Sequence, residues 1–88
     1  MRDIYELFDL IGQNMKSIRL NVIKKSQEKV ADDINMSRGF LSQIESPNVQ
    51  SGVSIDTLFI LSQKYNFDIR DFFKGYEKLL DSDKQKDE

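Results

Sequence analysis

Cysteine and histidine are both missing from this chain. The first absence rules out disulfide staples and thiolate nucleophiles. The second removes the commonest general base and, with cysteine, the usual zinc ligands. The lack of thiols agrees with a reducing cytoplasm, the compartment we expect. No apolar stretch reaches the length of about 18 residues that a membrane span needs, so none is expected. Arg2, Asp3 and Glu6 interrupt the first residues, which do not read as a signal peptide. Glycine-rich phosphate loops are lacking too. The adjacent carboxylates Asp32 and Asp33 would point apart on a helix and share no substrate. We therefore expect no enzyme, no cofactor, no metal site and no small-molecule ligand.

A basic excess, the usual footprint of nucleic-acid binding, is also absent: the chain stands at −2 with a pI near 5.1. The charge is unevenly spread, however. Residues 12–51 hold six basic and four acidic side chains, whereas residues 1–11 and 52–88 each stand at −2. Only the middle segment is positive. That predicts weak sequence-blind binding, because phosphate neutralisation supplies most of its energy. Eighty-eight residues permit one small domain, with a core near the lower limit of size. A composition of 39 % hydrophobic and 32 % charged residues is that of a folded soluble protein.

The most informative stretch runs from Ser26 to Ser46. Ser26 is placed to cap a short helix by accepting an orphan backbone N–H. Val30, Ala31 and Ile34 then form a compact apolar stripe. Asn35 and Met36 break the pattern, and asparagine tolerates the left-handed backbone of a helix exit. Ser37 caps a second helix, in which Leu41 and Ile44 point one way and Arg38, Ser42 and Gln43 another. Pro47, the sole proline, disfavours helix at Ser46 and ends it. Two helices this short cannot stand alone, so the flanks must build a scaffold that presents the polar face of the second.

The flanks are helical by spacing. Ile4, Leu7, Phe8 and Ile11, with Asp3 as cap, start a first helix that Met15, Ile18 and Val22 continue to about residue 22. Gly12 is a weak break in it. Tyr5 and Leu10 lie off the stripe, half exposed or resting on a partner. After a polar loop at 47–53, Ser54 caps a fourth helix through Tyr65, with Ile55, Leu58, Phe59 and Leu61 or Ser62 buried and Asn66 at its end. Asp68 begins a fifth helix reaching residue 80, which carries Ile69, Phe72, Phe73, Tyr76, Leu79 and Leu80. Phe72 and Phe73 would finish the core. Residues 81–88 read as a charged, frayed tail.

Gln27, Ala31, the run Ser37-Arg38-Gly39-Phe40-Leu41-Ser42-Gln43-Ile44-Glu45, and Leu58 with Phe72-Phe73 resemble the lambda-repressor/Cro-like (XRE) helix-turn-helix family. In size and C-terminal helix the chain looks most similar to the controller proteins of restriction–modification systems. The resemblance implies an all-α, five-helix DNA-binding domain over residues 1–80, with extended terminal helices and the motif at 26–46. Two features depart from the family pattern. The link Val22 to Lys25 lacks its glycine turn and is one residue longer between Arg19 and Gln27; Asn21 is expected to take the positive φ there. The 47–53 loop is also longer than usual.

The resemblance further implies that the second motif helix lies in the major groove of double-stranded DNA, about 12 Å wide. Arg38 then suits a bidentate contact to guanine, and Gln43 one to adenine. Ser42 is a small donor, and Gly39 permits close backbone approach. Phe40 meets a thymine methyl or a sugar, or else belongs to the core. Gln27 is implied to touch a phosphate and brace the recognition helix. Lys24, Lys25 and Lys29 are phosphate candidates or a solvated charge run, with Ser37 and the loop residue Asn48 as further positioning groups. Arg19 and Glu45 are implied to pair, tying the first helix to the third. Phe72, Tyr76, Leu79 and Leu80 read as a homodimer seam that sets two recognition helices about 34 Å apart. Alternatively, Tyr76 to Leu80 folds back on the N-terminal helix. The expected function is a homodimeric transcriptional repressor or autoregulator on a palindromic operator. The rival is a protein-interaction module, such as an antitoxin or anti-repressor with weak DNA binding, favoured by the acidic balance and by Gly39 at a reading position.

Overall fold

Capping residues and helical spacing explain where most elements begin and end. The computed structural model describes residues 4–46 and 52–80. Helix α1 spans Ile4–Ile18, α2 Gln27–Asp33, α3 Arg38–Glu45 and α4 Ile55–Tyr65, and a 3-10 helix follows at Ile69–Phe73. The fold is all-α, these five helices being joined by a π-helical turn and followed by a short helical turn, with no strand among the described residues. Ser26 Oγ accepts from the Lys29 N–H, and Ser37 Oγ from the Phe40 N–H, each at 3.1 Å, so both motif helices start on satisfied caps. Asn35 (φ 60°) and Asn66 (φ 56°) take the left-handed turns beyond α2 and α4. No described helix is long and apolar enough to cross a membrane.

α1 crosses both α3 and the 3-10 helix, while α2 packs on α3. Ile11, Met15 and Ile18 of α1 meet Val30, Ala31, Leu41, Ile44, Leu58, Leu61 and Phe72 in one core. The helix passes through Gly12 unbroken. A Cβ at that position would overlap the Ile44 carbonyl oxygen, so glycine is what lets α1 lie on the α3 backbone.

The extra residue between Arg19 and Gln27 is taken up at the end of α1. Arg19–Ile23 forms a π-helical turn, closed by the Lys24 N–H donating to the Arg19 carbonyl at 2.6 Å. A turn closed from i to i+5 holds one residue more than an α turn, which shifts the phase of everything after it. Arg19, at the start of the turn, is buried, and Val22, expected on the apolar stripe, is turned out at 57 % exposure. The positive φ falls on Lys24 (60°) and not on Asn21, which stays inside the π turn.

The C-terminal segment also differs from expectation. Asp68 does cap it, accepting from the Arg70 N–H at 2.8 Å, but the continuous helix expected to residue 80 is interrupted. The 3-10 helix ends at Phe73, Gly75 adopts φ 92°, and a separate helical turn covers residues 76–80. Asn14 Nδ2 on α1 donates to the carbonyls of Phe72 (2.7 Å) and Lys74 (3.0 Å), groups that a continuing helix would use itself. Phe72 is wholly enclosed, edge-on to Phe67 at 5.5 Å, so it belongs to the core alone and is withdrawn from the seam. Tyr76 and Leu80 are exposed and Leu79 is half-buried.

α4 buries Thr57, Leu58, Leu61 and Ser62, leaving Ile55 and Phe59 outward, contrary to their hydrophobicity. The two hydroxyls are locally satisfied: Thr57 Oγ1 shares a hydrogen bond with Ser54 Oγ, and Ser62 Oγ donates to the Phe59 carbonyl. Paired in this way, they enter the core without an unmet polar group. Ser54 occupies the N-cap position, although its hydroxyl serves Thr57 and not a backbone N–H. The Asp3 cap, the loop residue Asn48 and the 81–88 tail lie outside the described residues.

Candidate nucleic-acid interface

The register of α3 decides which side chains it offers. Leu41, Ile44 and Glu45 face inward and are buried, whereas Arg38, Gly39 and Gln43 are exposed and Ser42 is half-buried. The surface is low at Gly39, where a Cβ would meet only Ser37 Oγ, at 3.9 Å. Phe40 is half-buried, packed against the edge of the core.

A buried polar cluster holds this face in place. Arg19 Nε donates to Glu45 Oε2 at 2.8 Å and Arg19 Nη2 to Glu45 Oε1 at 3.1 Å, a two-pronged pair. Arg19 Nη1 also donates to the Lys25 carbonyl at 2.9 Å, and Gln27 Nε2 to Glu45 Oε1 at 3.1 Å. Arg19 and Glu45 are only 8 % and 9 % exposed. One carboxylate thus ties the end of α1, the entry to α2 and the end of α3. The π turn takes up the longer link after Arg19, which keeps its place at the end of α1.

Beside the cluster lies an open cleft of about 370 Å³, lined by Arg19, Ser26, Gln27, Glu28 and Arg38. It joins the starts of α2 and α3 into one polar surface. Lys24 is exposed at its left-handed turn. Lys25 and Lys29 are engaged elsewhere: Lys25 Nζ lies 3.0 Å from Asp33 Oδ2, and Lys29 Nζ lies 3.4 Å from Asp33 Oδ1. The Tyr65 hydroxyl donates to the same Oδ2 at 2.6 Å. Tyr65 foremost, then Lys25, holds the Asp33 carboxyl well below the usual carboxylate range. Burial, reinforced by Asp33, pushes the Tyr65 hydroxyl above its ordinary value.

The bond between Asp33 and Tyr65, and those of Asn14 to the Phe72 and Lys74 carbonyls, escaped the reading of the sequence. Only the Lys29–Asp33 spacing of four was visible there.

Two short capped helices set on a longer one, the second showing a polar face anchored by a buried ion pair, define a helix-turn-helix DNA-binding domain. The helix-turn-helix family model matches residues 16–72, and the chain belongs to that family, of the XRE/lambda-repressor-like type. Neither a curated protein nor a solved structure gives a match. Membership implies DNA binding, and with it a part in transcription regulation, in a family whose members are typically not enzymes.

Proposed function

We propose that the chain is a homodimeric transcriptional repressor or autoregulator of the cytoplasm, which places α3 of each protomer in successive major grooves of a palindromic operator. The outward face of α3 carries this reading: Arg38, Gly39 and Gln43 are exposed on a helix whose other side is locked by Leu41, Ile44 and Glu45. Arg38 reads a guanine and Gln43 an adenine, each worth roughly 1–3 kcal/mol of discrimination. Ser42 adds a short donor, and Gly39 lets the backbone come close. Gln27, Ser37 and Lys24 position the domain on phosphates. Tyr76, Leu79 and Leu80 form the seam between protomers, spacing the reading helices about one DNA turn apart.

The narrower likeness to restriction–modification controller proteins rests on size and on a C-terminal helix that Gly75 interrupts. An endonuclease gene beside the coding region is the observation that would carry it. A gel shift against the upstream region of the coding sequence tests the central reading. Wild-type protein should shift it, and an Arg38→Ala, Gln43→Ala variant should bind at least tenfold more weakly. Equal binding by a folded variant would remove both side chains from the reading face. Sedimentation of a Tyr76→Asp, Leu80→Asp variant should show a monomer where the wild type is dimeric.

A further inference from the structure

Asp33 stands on the last turn of α2, yet it holds two cations whose backbones belong to the start of that helix. Lys25 immediately precedes the Ser26 cap, and the Lys29 N–H donates to that cap. Both lysines are therefore chain neighbours of the cleft residues Ser26, Gln27 and Glu28, although neither lines the cleft itself. Their ammonium groups are nevertheless drawn to one carboxylate, at 3.0 Å and 3.4 Å. The carboxylate is 14 % exposed, whereas the Lys25 and Lys29 side chains are 40 % and 58 % exposed. Tyr65 on α4 fixes the carboxylate through its hydroxyl at 2.6 Å, and its ring centroid lies 5.4 Å from Lys25 Nζ.

We propose that Asp33 is an internal stand-in for phosphate, which withholds Lys25 and Lys29 from the DNA backbone and so weakens sequence-blind binding. The inference rests on the α2–α3 surface being the side that meets DNA. A lysine that neutralises a phosphate releases a counterion and steepens the salt dependence of log K by about 0.9. Withholding two lysines leaves base contacts a larger share of the total and raises the ratio of specific to non-specific affinity. The fixed tyrosine matters because it keeps the carboxylate in place while the exposed lysines exchange partners.

Asp33→Asn separates the charge from the scaffold, since the amide keeps an oxygen for the Tyr65 hydroxyl. Asp32→Asn, at an exposed neighbour, makes the same change in net charge and serves as the control. Fluorescence anisotropy with a mixed-sequence duplex should show Asp33→Asn binding tighter than both wild type and the control. Between about 50 and 200 mM salt, its advantage should shrink about three- to fourfold per released lysine. Adding Lys25→Gln and Lys29→Gln should cancel the gain. In the wild-type background those two changes should leave affinity and salt slope nearly unaltered. A gain no larger than that of Asp32→Asn overturns the inference, as does a gain that survives loss of both lysines. Should Asp33→Asn fail to fold, the lysine substitutions in the wild type decide: a slope lowered by about 1.8 would place both lysines already on phosphates and overturn it. A wild type that binds no duplex at all would instead overturn the regulator reading and this inference with it.

Discussion

Replacing Arg19 with alanine tests how α3 is held. The substitution deletes three hydrogen bonds, two to Glu45 and one to the Lys25 carbonyl. Glu45 then remains 9 % exposed in the parent geometry, with the Gln27 amide as its remaining side-chain donor among these contacts. Removing one partner of a buried ion pair costs about 3–5 kcal/mol, because the other charge stays desolvated. Domains of this size hold roughly 5–15 kcal/mol in total, so Arg19→Ala should sit near the edge of folding. At roughly 4–8 °C per kcal/mol, the midpoint of thermal unfolding should fall by about 12–40 °C. The diagnostic companion is Arg19→Met with Glu45→Leu, which removes both charges and should recover most of the loss. Urea unfolding followed by circular dichroism measures all three proteins. A loss below about 1 kcal/mol for Arg19→Ala would mean that the pair behaves like an exposed one, and the bracing argument would fail. So would a double variant as unstable as the single.

Other outcomes follow from the same packing. Gly12→Ala gains about 1 kcal/mol of helix propensity, but it forces α1 off the Ile44 carbonyl; overpacking at about 1–3 kcal/mol or more should win, lowering the urea midpoint. Asn14→Ala leaves the Phe72 and Lys74 carbonyls without their side-chain donor, so stability should drop by about 1–2 kcal/mol, with faster amide exchange concentrated at residues 69–80. The Asp33–Tyr65 bond should shape stability against pH at both ends. Asp33 titrates below its ordinary value, so its contribution is present above about pH 4 and fades as pH falls; Tyr65 titrates above its ordinary value, so its contribution is present below about pH 10 and fades as pH rises. Thermal melts of Tyr65→Phe should show a flatter profile at both extremes, and an unchanged profile would contradict the linkage.

Local signals were legible wherever the chain satisfies itself nearby. The serines at 26 and 37, the asparagines at 35 and 66, and the inward phase of Leu41 and Ile44 all act within a turn or two of their own positions. The outward direction of Arg38 and Gln43 followed from that phase. The features that escaped depend on distant partners or on hydroxyls paired out of sight. Asn14 ends the last helix from 58 residues away, and Tyr65 reaches Asp33 across 32. On α4, hydrophobicity argued for burying Ile55 and Phe59, yet Thr57 enters the core in their place, its hydroxyl already bonded to Ser54, while Ser62, weighed as an alternative to Leu61, is buried together with it. Comparison with the family pattern revealed an extra residue before Gln27, but any position in the link was open to absorb it. Geometry assigned it to the π turn and gave Lys24 the positive φ.

The most direct test of the account is an amide chemical-shift titration of the labelled protein with duplex from its own upstream region. Perturbations should centre on residues 38–43 and on the start of α2, with Ile55 and Phe59 on α4 unmoved by the duplex. Shifts confined to α4, with Arg38 to Gln43 silent at saturation, would contradict it.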